Sequence, residues 1–214
     1  MRLVLVGCPR CSGRLQAPGL FSSDWQCETH GPVPPLHAAT GGSLAALRQR
    51  AASSGVPVWA PWPLPTGWVC AGASFVGDDR APAVAAVVAW SAPAPLGGPA
   101  DVLLVAEEPG VGLGAALAGL DEPDPDAQVL AGPASTKVQI DGHPCSLWEV
   151  AAAADRAAYV GEALGCWLWA VAWPSELALE LHDEARLVDL RDPGHELPVP
   201  FGALSPRLPL VSSD

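Results

Sequence analysis

From residue 68 onward, the apolar positions of this chain follow a two-residue alternation or occur in short apolar runs. Successive side chains of a β-strand point to opposite faces, so this spacing is typical of strands. The leucines at 177, 179 and 181 alternate in the same way and predict a further strand. In total, the pattern predicts strands over residues 68–76, 83–92, 101–107, 136–140, 145–150, 159–164, 166–173, 177–181 and 187–190.

The strand predicted over residues 166–173 is apolar at every position and reads CWLWAVAW. Its larger side chains share one face and its smaller ones the other. A strand that is apolar on both faces is typical of the centre of a sheet with both sides covered. In the same half of the chain, residues 111–120 are predicted to form a helix.

A short helix and a proline-rich connector precede this sheet. The helix is capped by Ser43 and ends at Gly55. Residues 57–65 contain four prolines, which favour an extended, polyproline-like path. That path puts Trp59 and Trp62 on the same side, either as a docking strip for a partner or as indoles that seal the core of the following domain.

The spacing of cysteine and histidine near the N-terminus predicts a zinc site. CPRC is followed, after fifteen residues, by CETH. Two such pairs, each on a tight turn, converge on one tetrahedral metal. The predicted ligands of a structural Zn²⁺ are therefore Cys8, Cys11, Cys27 and His30, a closed set with no open position for catalysis. A unit of about 35 residues needs such a metal in order to fold.

These patterns predict an α+β protein, with an N-terminal zinc ribbon followed by a mainly antiparallel sheet with one or two helices. Residues 1–38 are predicted to form the ribbon, and residues 39–66 the helix and the proline/tryptophan-rich linker. Residues 67–214 are predicted to form the α+β domain.

The charge of the chain disfavours nucleic acid as a partner. The formal net charge is −12, whereas nucleic-acid binding draws most of its affinity from cationic side chains that meet phosphates. The ribbon carries one surplus positive charge, from Arg2, Arg10 and Arg14 against Asp24 and Glu28. This surplus does not amount to a basic patch.

The cysteines indicate a reducing compartment. Cys70, Cys145 and Cys166 are scattered without a pairing pattern, and zinc thiolates together with unpaired thiols are typical of the cytoplasm. No run of about 18 apolar residues lacks proline or charge, so no membrane span is predicted. We therefore expect a cytoplasmic protein.

A glycine-rich segment lies between a predicted strand and the predicted helix. Backbone amides at Gly110, Gly112 and Gly114 are placed where they can bind a phosphate. The spacing fits a loose dinucleotide fingerprint and resembles more closely the pyrophosphate loop of acyl-CoA-dependent acyltransferases. However, Pro109 stands where those enzymes usually carry arginine, and the glutamates at 107–108 would repel phosphate. The alternative is a flexible turn into a helix.

Two other groups of residues have ordinary explanations. The acidic loop at residues 121–126 lacks the central glycine and final glutamate of a calcium-binding EF-hand, so a solvated loop is predicted. A Cys–His nucleophilic site would have to combine His143 and Cys145 with residues 182–183, and no local motif supports it.

Several segments resemble a family of uncharacterised actinobacterial zinc-ribbon proteins, namely CPRC…WQCETHG, VPVWAPWPLPTGW, VGDDR, LLVAEEPGVGLGA, CWLWAVAWP, LVDLRD and GALSPRL. The resemblance spans nearly the whole chain and implies no activity, although some relatives carry a phosphotransacetylase label.

Two functions follow from these observations. The first is a non-enzymatic zinc-ribbon protein whose tryptophan-lined sheet binds a protein or a small ligand. The second is an acyltransferase-like enzyme that uses the glycine loop at 110–115. The first is favoured because no acid–base pair converges in sequence around that loop. The partner and the oligomeric state are not predicted.

Overall fold

The computed structural model describes residues 6–20, 22–78, 80–94, 97–177, 185–192 and 198–209. Antiparallel strands make up most of the regular structure in these ranges, with a few short helices between them. The predicted α+β class is therefore confirmed. No helix in the described ranges is long and apolar enough to cross a membrane.

The N-terminal segment consists of five two-residue strands. β2, β3 and β4 form a three-stranded antiparallel sheet. β1 pairs with β5, and β5 is hydrogen-bonded in turn to the first long strand of the main sheet. The two sheets therefore meet through this segment. The five strands are β1 (Val6–Gly7), β2 (Leu15–Gln16), β3 (Gln26–Cys27), β4 (Gly31–Pro32) and β5 (Leu36–His37).

Helix α1 (Leu44–Ala52) begins where the sequence predicts. The hydroxyl of Ser43 accepts a hydrogen bond from the amide of Ala46 and satisfies one of the free donors at the start of the helix. Leu47 and Ala51 point into the core. This face anchors α1 on the sheet.

The proline-rich connector contributes a short strand, β6 (Trp59–Pro61), at one edge of the main sheet. An edge strand tolerates proline because one of its sides needs no hydrogen-bond donors. Trp59 is buried in the core, and Trp62 is half-buried against it. The packing supports the interpretation of these indoles as a seal for the core.

Within the described ranges, the main sheet has eleven strands in the order β1–β5–β7–β8–β9–β13–β12–β11–β10–β14–β6. Neighbours pair in antiparallel fashion, except that β10 and β14 are parallel. The strands predicted between residues 68 and 173 are confirmed to within a few residues at each end. The long strands are β7 (Val69–Val76), β8 (Ala85–Pro93), β9 (Pro99–Glu107), β10 (Thr136–Ile140), β11 (His143–Val150), β12 (Ala157–Ala163), β13 (Cys166–Trp173) and β14 (Arg186–Asp189).

Both faces of the main sheet are covered. On one face, β6 packs across β8 and β9, so the sheet curls around a core that contains Trp59, Trp90 and Leu168. On the other face, Trp169 packs with Leu113 from a short helix. β13 lies in the middle and is buried on both sides, as its continuous apolar sequence predicts.

The prediction of a strand over residues 177–181 is wrong at Leu177, the one residue of this range that the structure describes. Leu177 lies in a tight turn of 3₁₀ type, which is closed by a hydrogen bond from its amide to the carbonyl of Pro174. Its side chain is fully buried, so the alternation detected burial but not the backbone conformation. Leu179 and Leu181 lie outside the described residues.

The helix predicted over residues 111–120 is shorter, α2 (Leu113–Ala118). Gly112 and Gly119 flank it with φ values of 83° and 84°, a left-handed conformation that ends a helix. The acidic loop is followed by a four-residue helix that the sequence did not predict, α3 (Ala127–Leu130), whose first turn is capped by the carboxylate of Asp126.

Candidate metal centre

The first pair of predicted ligands lies on a tight turn directly after β1. The amide of Cys8 donates to the carbonyl of Gly13 at 2.8 Å, and the amide of Ser12 donates to the carbonyl of Cys8 at 2.8 Å. Ser12 has a φ of 57°, which reverses the chain after Cys11. The turn therefore brings Cys11 back beside Cys8.

The second pair lies on the hairpin between β3 and β4. Cys27 is the last residue of β3, and His30 comes just before β4. Gly31 follows with a φ of 69°, in the left-handed region that favours glycine. Both turns present their ligands toward the same point.

The four ligand atoms have the spacing of a tetrahedral site. The sulfurs of Cys11 and Cys27 are 3.8 Å apart, and Nδ1 of His30 lies 3.6 Å from the sulfur of Cys27 and 3.4 Å from that of Cys8. All four atoms lie within 4.8 Å of one another. A tetrahedron with Zn–S bonds of about 2.3 Å and a Zn–N bond of about 2.05 Å has edges of about 3.8 Å and about 3.6 Å. The cluster is therefore compatible with one metal ion.

The surroundings of the two buried sulfurs shift their pKa values in opposite directions. Burial raises the pKa of Cys8 to about 12, although amides of its own turn donate to the sulfur. Burial acts on Cys27 too, but the amides of His30 and Thr29 outweigh it and lower the pKa of Cys27 to about 6. A bound metal would hold both groups as thiolates, because coordination stabilises the deprotonated form.

The predicted ribbon, described over residues 6–20 and 22–37, has a very small hydrophobic core of its own. Its buried apolar residues are two ligands, Cys8 and Cys27, together with Leu15 and Val33, and Trp25 packs against them. So little apolar area cannot offset the conformational entropy of the segment. Metal coordination is the interaction that can supply the difference.

Arg10, which lies between the first two ligands, joins the ribbon to the main sheet. Its guanidinium group donates to the carbonyl oxygens of Gly110 and Val111, from Nη2 and Nε respectively. These carbonyls belong to the glycine loop, defined here as residues 108–114, which runs from the end of β9 into the first turn of α2. The two segments that the sequence singled out are therefore in direct contact.

A buried glutamate holds the other side of the glycine loop. Glu107, the last residue of β9, is fully buried. Its carboxylate accepts hydrogen bonds from the amides of Leu113 at 2.7 Å and Gly114 at 3.2 Å. Burial raises the pKa of Glu107 to about 7, the two amides oppose this rise, and the charge of Asp124 adds to it.

The glycines of the loop are explained by close packing. A Cβ atom on Gly114 would come within 2.2 Å of the indole of Trp169. A Cβ atom on Gly112 would come within 2.9 Å of Pro123 and 3.2 Å of Arg10. Contacts this short require the neighbour to move, so glycine is required at both positions.

The predicted phosphate-binding role of Gly110, Gly112 and Gly114 gains no support from this geometry. The amide of Gly110 donates to Asp124 at 2.7 Å, and that of Gly114 donates to Glu107. A phosphate would have to displace carboxylates from these amides, and the carboxylates would repel it. The contacts agree with the turn-into-helix alternative.

The remaining candidate residues also have internal partners. Asp124 accepts from the indole of Trp167 at 2.9 Å in addition to the loop amide. The sulfur of Cys145 lies 3.2 Å from the carbonyl of Glu162, and burial, followed by the charge of Glu162, raises the pKa of Cys145. A raised pKa disfavours the nucleophilic thiolate. Residues 182–183 lie outside the described residues.

Sequence reasoning missed Arg10 and Glu107 as residues of this site. Arg10 and its partner Gly110 are separated by 100 positions in the chain. Glu107 was expected to face an incoming phosphate. The sequence did contain one sign of this role. Glu107 ends a buried strand and lies six residues before Leu113, close enough in the chain for its carboxylate to accept a hydrogen bond from the amide at the start of the helix.

The comparisons with known proteins identify a family but no activity. The sequence model of a family of unknown function, DUF6758, matches residues 3–208, so the chain belongs to this family. No curated protein and no solved structure matches the chain.

The contact between Arg10 and the glycine loop can be tested by mutation. In Arg10→Ala, the loss of two hydrogen bonds from a charged donor should lower the free energy of unfolding by about 1 to 2 kcal/mol. Amide hydrogen exchange of residues 108–114 should accelerate, while the metal content stays unchanged. Arg14→Ala removes the same charge from an exposed position of the ribbon and should leave loop exchange unaffected. Equal exchange in both variants would contradict the contact.

The buried carboxylate predicts a pH dependence. The pKa of Glu107 is about 7 when folded against an ordinary value of 4.5, so between these values the folded protein binds a proton that the unfolded chain releases. The stabilisation that this bound proton gives to the folded protein is complete below about pH 4.5 and is lost as the pH rises through 7. Between pH 5 and 8, wild type should lose about 2 to 3 kcal/mol of unfolding free energy relative to Glu107→Gln.

Urea titrations at several pH values measure this difference. Glu108→Gln is the matched control, because Glu108 is the exposed neighbour. Parallel pH profiles for wild type and Glu107→Gln would show that the carboxylate does not bind the proton.

Proposed function

We propose that this member of the DUF6758 family is a cytoplasmic, non-enzymatic binding protein whose N-terminus is a zinc ribbon. Zn²⁺ would be coordinated by Cys8, Cys11, Cys27 and His30. In this proposal the metal has a structural role, and the main sheet domain binds a partner or a small ligand.

The observation that carries the metal assignment is the convergence of three sulfurs and one imidazole nitrogen at tetrahedral spacing. Zinc favours four ligands of this kind in structural sites. Soft thiolate donors discriminate against magnesium and calcium, which prefer oxygen. The donor set therefore supports zinc.

The ligand set also supports a structural role. Four protein ligands complete a tetrahedral shell, whereas a catalytic zinc keeps a position for water or substrate. The ribbon depends on the metal because its own apolar core is so small. The metal would in turn fix the turn that presents Arg10 to the glycine loop.

The cysteines support the cytoplasmic location. All six are free, including the buried Cys70 and Cys166, whose pKa values burial raises. A chain with a thiolate metal site and unpaired thiols is suited to a reducing compartment, where such groups persist.

An acyl-CoA-dependent activity, including the phosphotransacetylase label of some resembling proteins, would rest on the glycine loop. Two carboxylates beside this loop, those of Glu107 and Asp124, accept hydrogen bonds from its backbone amides. They occupy donors that a pyrophosphate would need. The net charge of −12 likewise disfavours polyanionic partners such as nucleic acid. A non-enzymatic role is therefore proposed.

Metal analysis tests the zinc assignment. Purified protein should contain about one zinc per chain, and Cys8→Ser should lose it, because a tetrahedral site lacking one thiolate binds zinc far more weakly. Cys145→Ser is the matched control and should keep the zinc, since Cys145 lies outside the cluster. Another metal in the site, or a ribbon that stays folded after complete chelation, would overturn the assignment.

A thermal-shift titration tests the enzymatic alternative. Acetyl-CoA should produce no saturable rise in melting temperature, because the loop amides already bind carboxylates. A saturable rise that disappears in Gly110→Asp, where an added side chain meets no atom within 4 Å, would support the acyltransferase interpretation and overturn the non-enzymatic one. Gly19→Asp, at a position with open space around it, is the control for added charge.

A further inference from the structure

Two adjoining cavities open beside α1, and together they are called the α1 cleft here. The larger, of about 630 Å³, lies between α1, the segment that precedes it and β7. The smaller, of about 440 Å³, lies beside the turn between β7 and β8. His37, Arg50 and Phe75 line both cavities and mark where they meet. Volumes of this size are typical of small-molecule sites.

The larger cavity has an apolar wall with a few polar groups. Leu47 from α1, Phe75 from β7 and Phe201 form the wall. Thr40 and Ser43 contribute hydroxyl groups beside it. Ligand sites usually combine apolar and aromatic walls with a small number of polar groups in this way.

Two arginines line the smaller cavity, and one of them also lines the larger. The guanidinium carbon of Arg50 lies 5.0 Å from the centroid of the Phe75 ring, a cation–π contact that restrains the arginine. Arg80 lines the smaller cavity. Within the described part of the chain, neither arginine forms an ion pair. Asp78 lines the same cavity, but its carboxylate accepts the backbone amide of Arg80.

We propose that the α1 cleft binds a small organic anion. Its apolar body occupies the larger cavity, and its negatively charged group lies at Arg50 and Arg80. The imidazole of His37 is hydrogen-bonded through Nε2 to the carbonyl of Gly77. Among the described residues that line the smaller cavity, two guanidinium groups stand against the one carboxylate of Asp78 in a chain with a net charge of −12, and an anionic ligand complements this local excess of positive charge. An uncharged ligand would desolvate Arg50 without giving it a partner.

This inference rests on the proposed binding role and gives it a ligand class. It is independent of the metal, since none of the four predicted metal ligands lines the cleft. Zinc analysis of the same preparations therefore separates the two proposals. If zinc-loaded protein fails to bind the anion, the proposal of an anion site in the α1 cleft is overturned and the zinc assignment is unaffected.

Fluorescence titration with anilinonaphthalene sulfonate, which has an aromatic body and one negative charge, tests the proposal. The full-length protein should bind it saturably, with about one site per chain. Arg50→Gln should weaken binding by about tenfold or more, the loss expected when one charged partner is removed. Ala46→Trp should block the cavity, because Ala46 lines it from an exposed position on α1.

Matched controls separate the cleft from nonspecific adsorption. Arg14→Gln makes the same change in charge at an exposed ribbon position and should leave binding unchanged. Phenylacetate should displace the probe at a concentration about tenfold lower than phenylacetamide, which has the same ring but no charge. Non-saturable binding, equal binding by wild type and the two cleft variants, or equal displacement by the acid and the amide would each overturn the proposal.

Discussion

The convergence of four side chains on one point is the constraint on which the N-terminal segment, residues 6–37, depends. Cys8 and Cys27 are at once proposed ligands and two of the four buried residues in the small apolar cluster of this segment. Removing the attraction between the ligands and a metal would leave this segment with little to offset its conformational entropy. The same turn that positions Cys8 also positions Arg10, so the order of the ribbon and its attachment to the sheet have one origin.

The glycine loop has the amino-acid composition of a phosphate-binding loop, but its polar groups form hydrogen bonds within the protein. Its amides are aimed inward at carboxylates, and its carbonyls accept hydrogen bonds from Arg10. Glu107 takes the place that a phosphate would occupy at the start of α2. The loop is thereby joined to the ribbon on one side and to the centre of the sheet on the other, where Gly114 packs on Trp169.

Much of the fold followed from periodicity. Alternation and short apolar runs located the strands from β7 to β13. A strand with one buried face gives an alternating pattern, and a strand with two buried faces gives a continuous apolar run. The same rule was wrong at Leu177, where a buried side chain lies on a turn instead of a strand. Alternation reports which side chains are buried, and several backbone conformations can bury a single leucine.

The sequence by itself determined the four side chains that converge, since their spacing reflects turns of a few residues whose geometry is local. It also determined the central position of β13. Only the tertiary structure decided the role of the glycine loop and the grouping of His37, Arg50 and Arg80 around one cleft. These features depend on contacts between residues that are far apart in the chain, and such contacts leave no periodic or spacing pattern in the sequence.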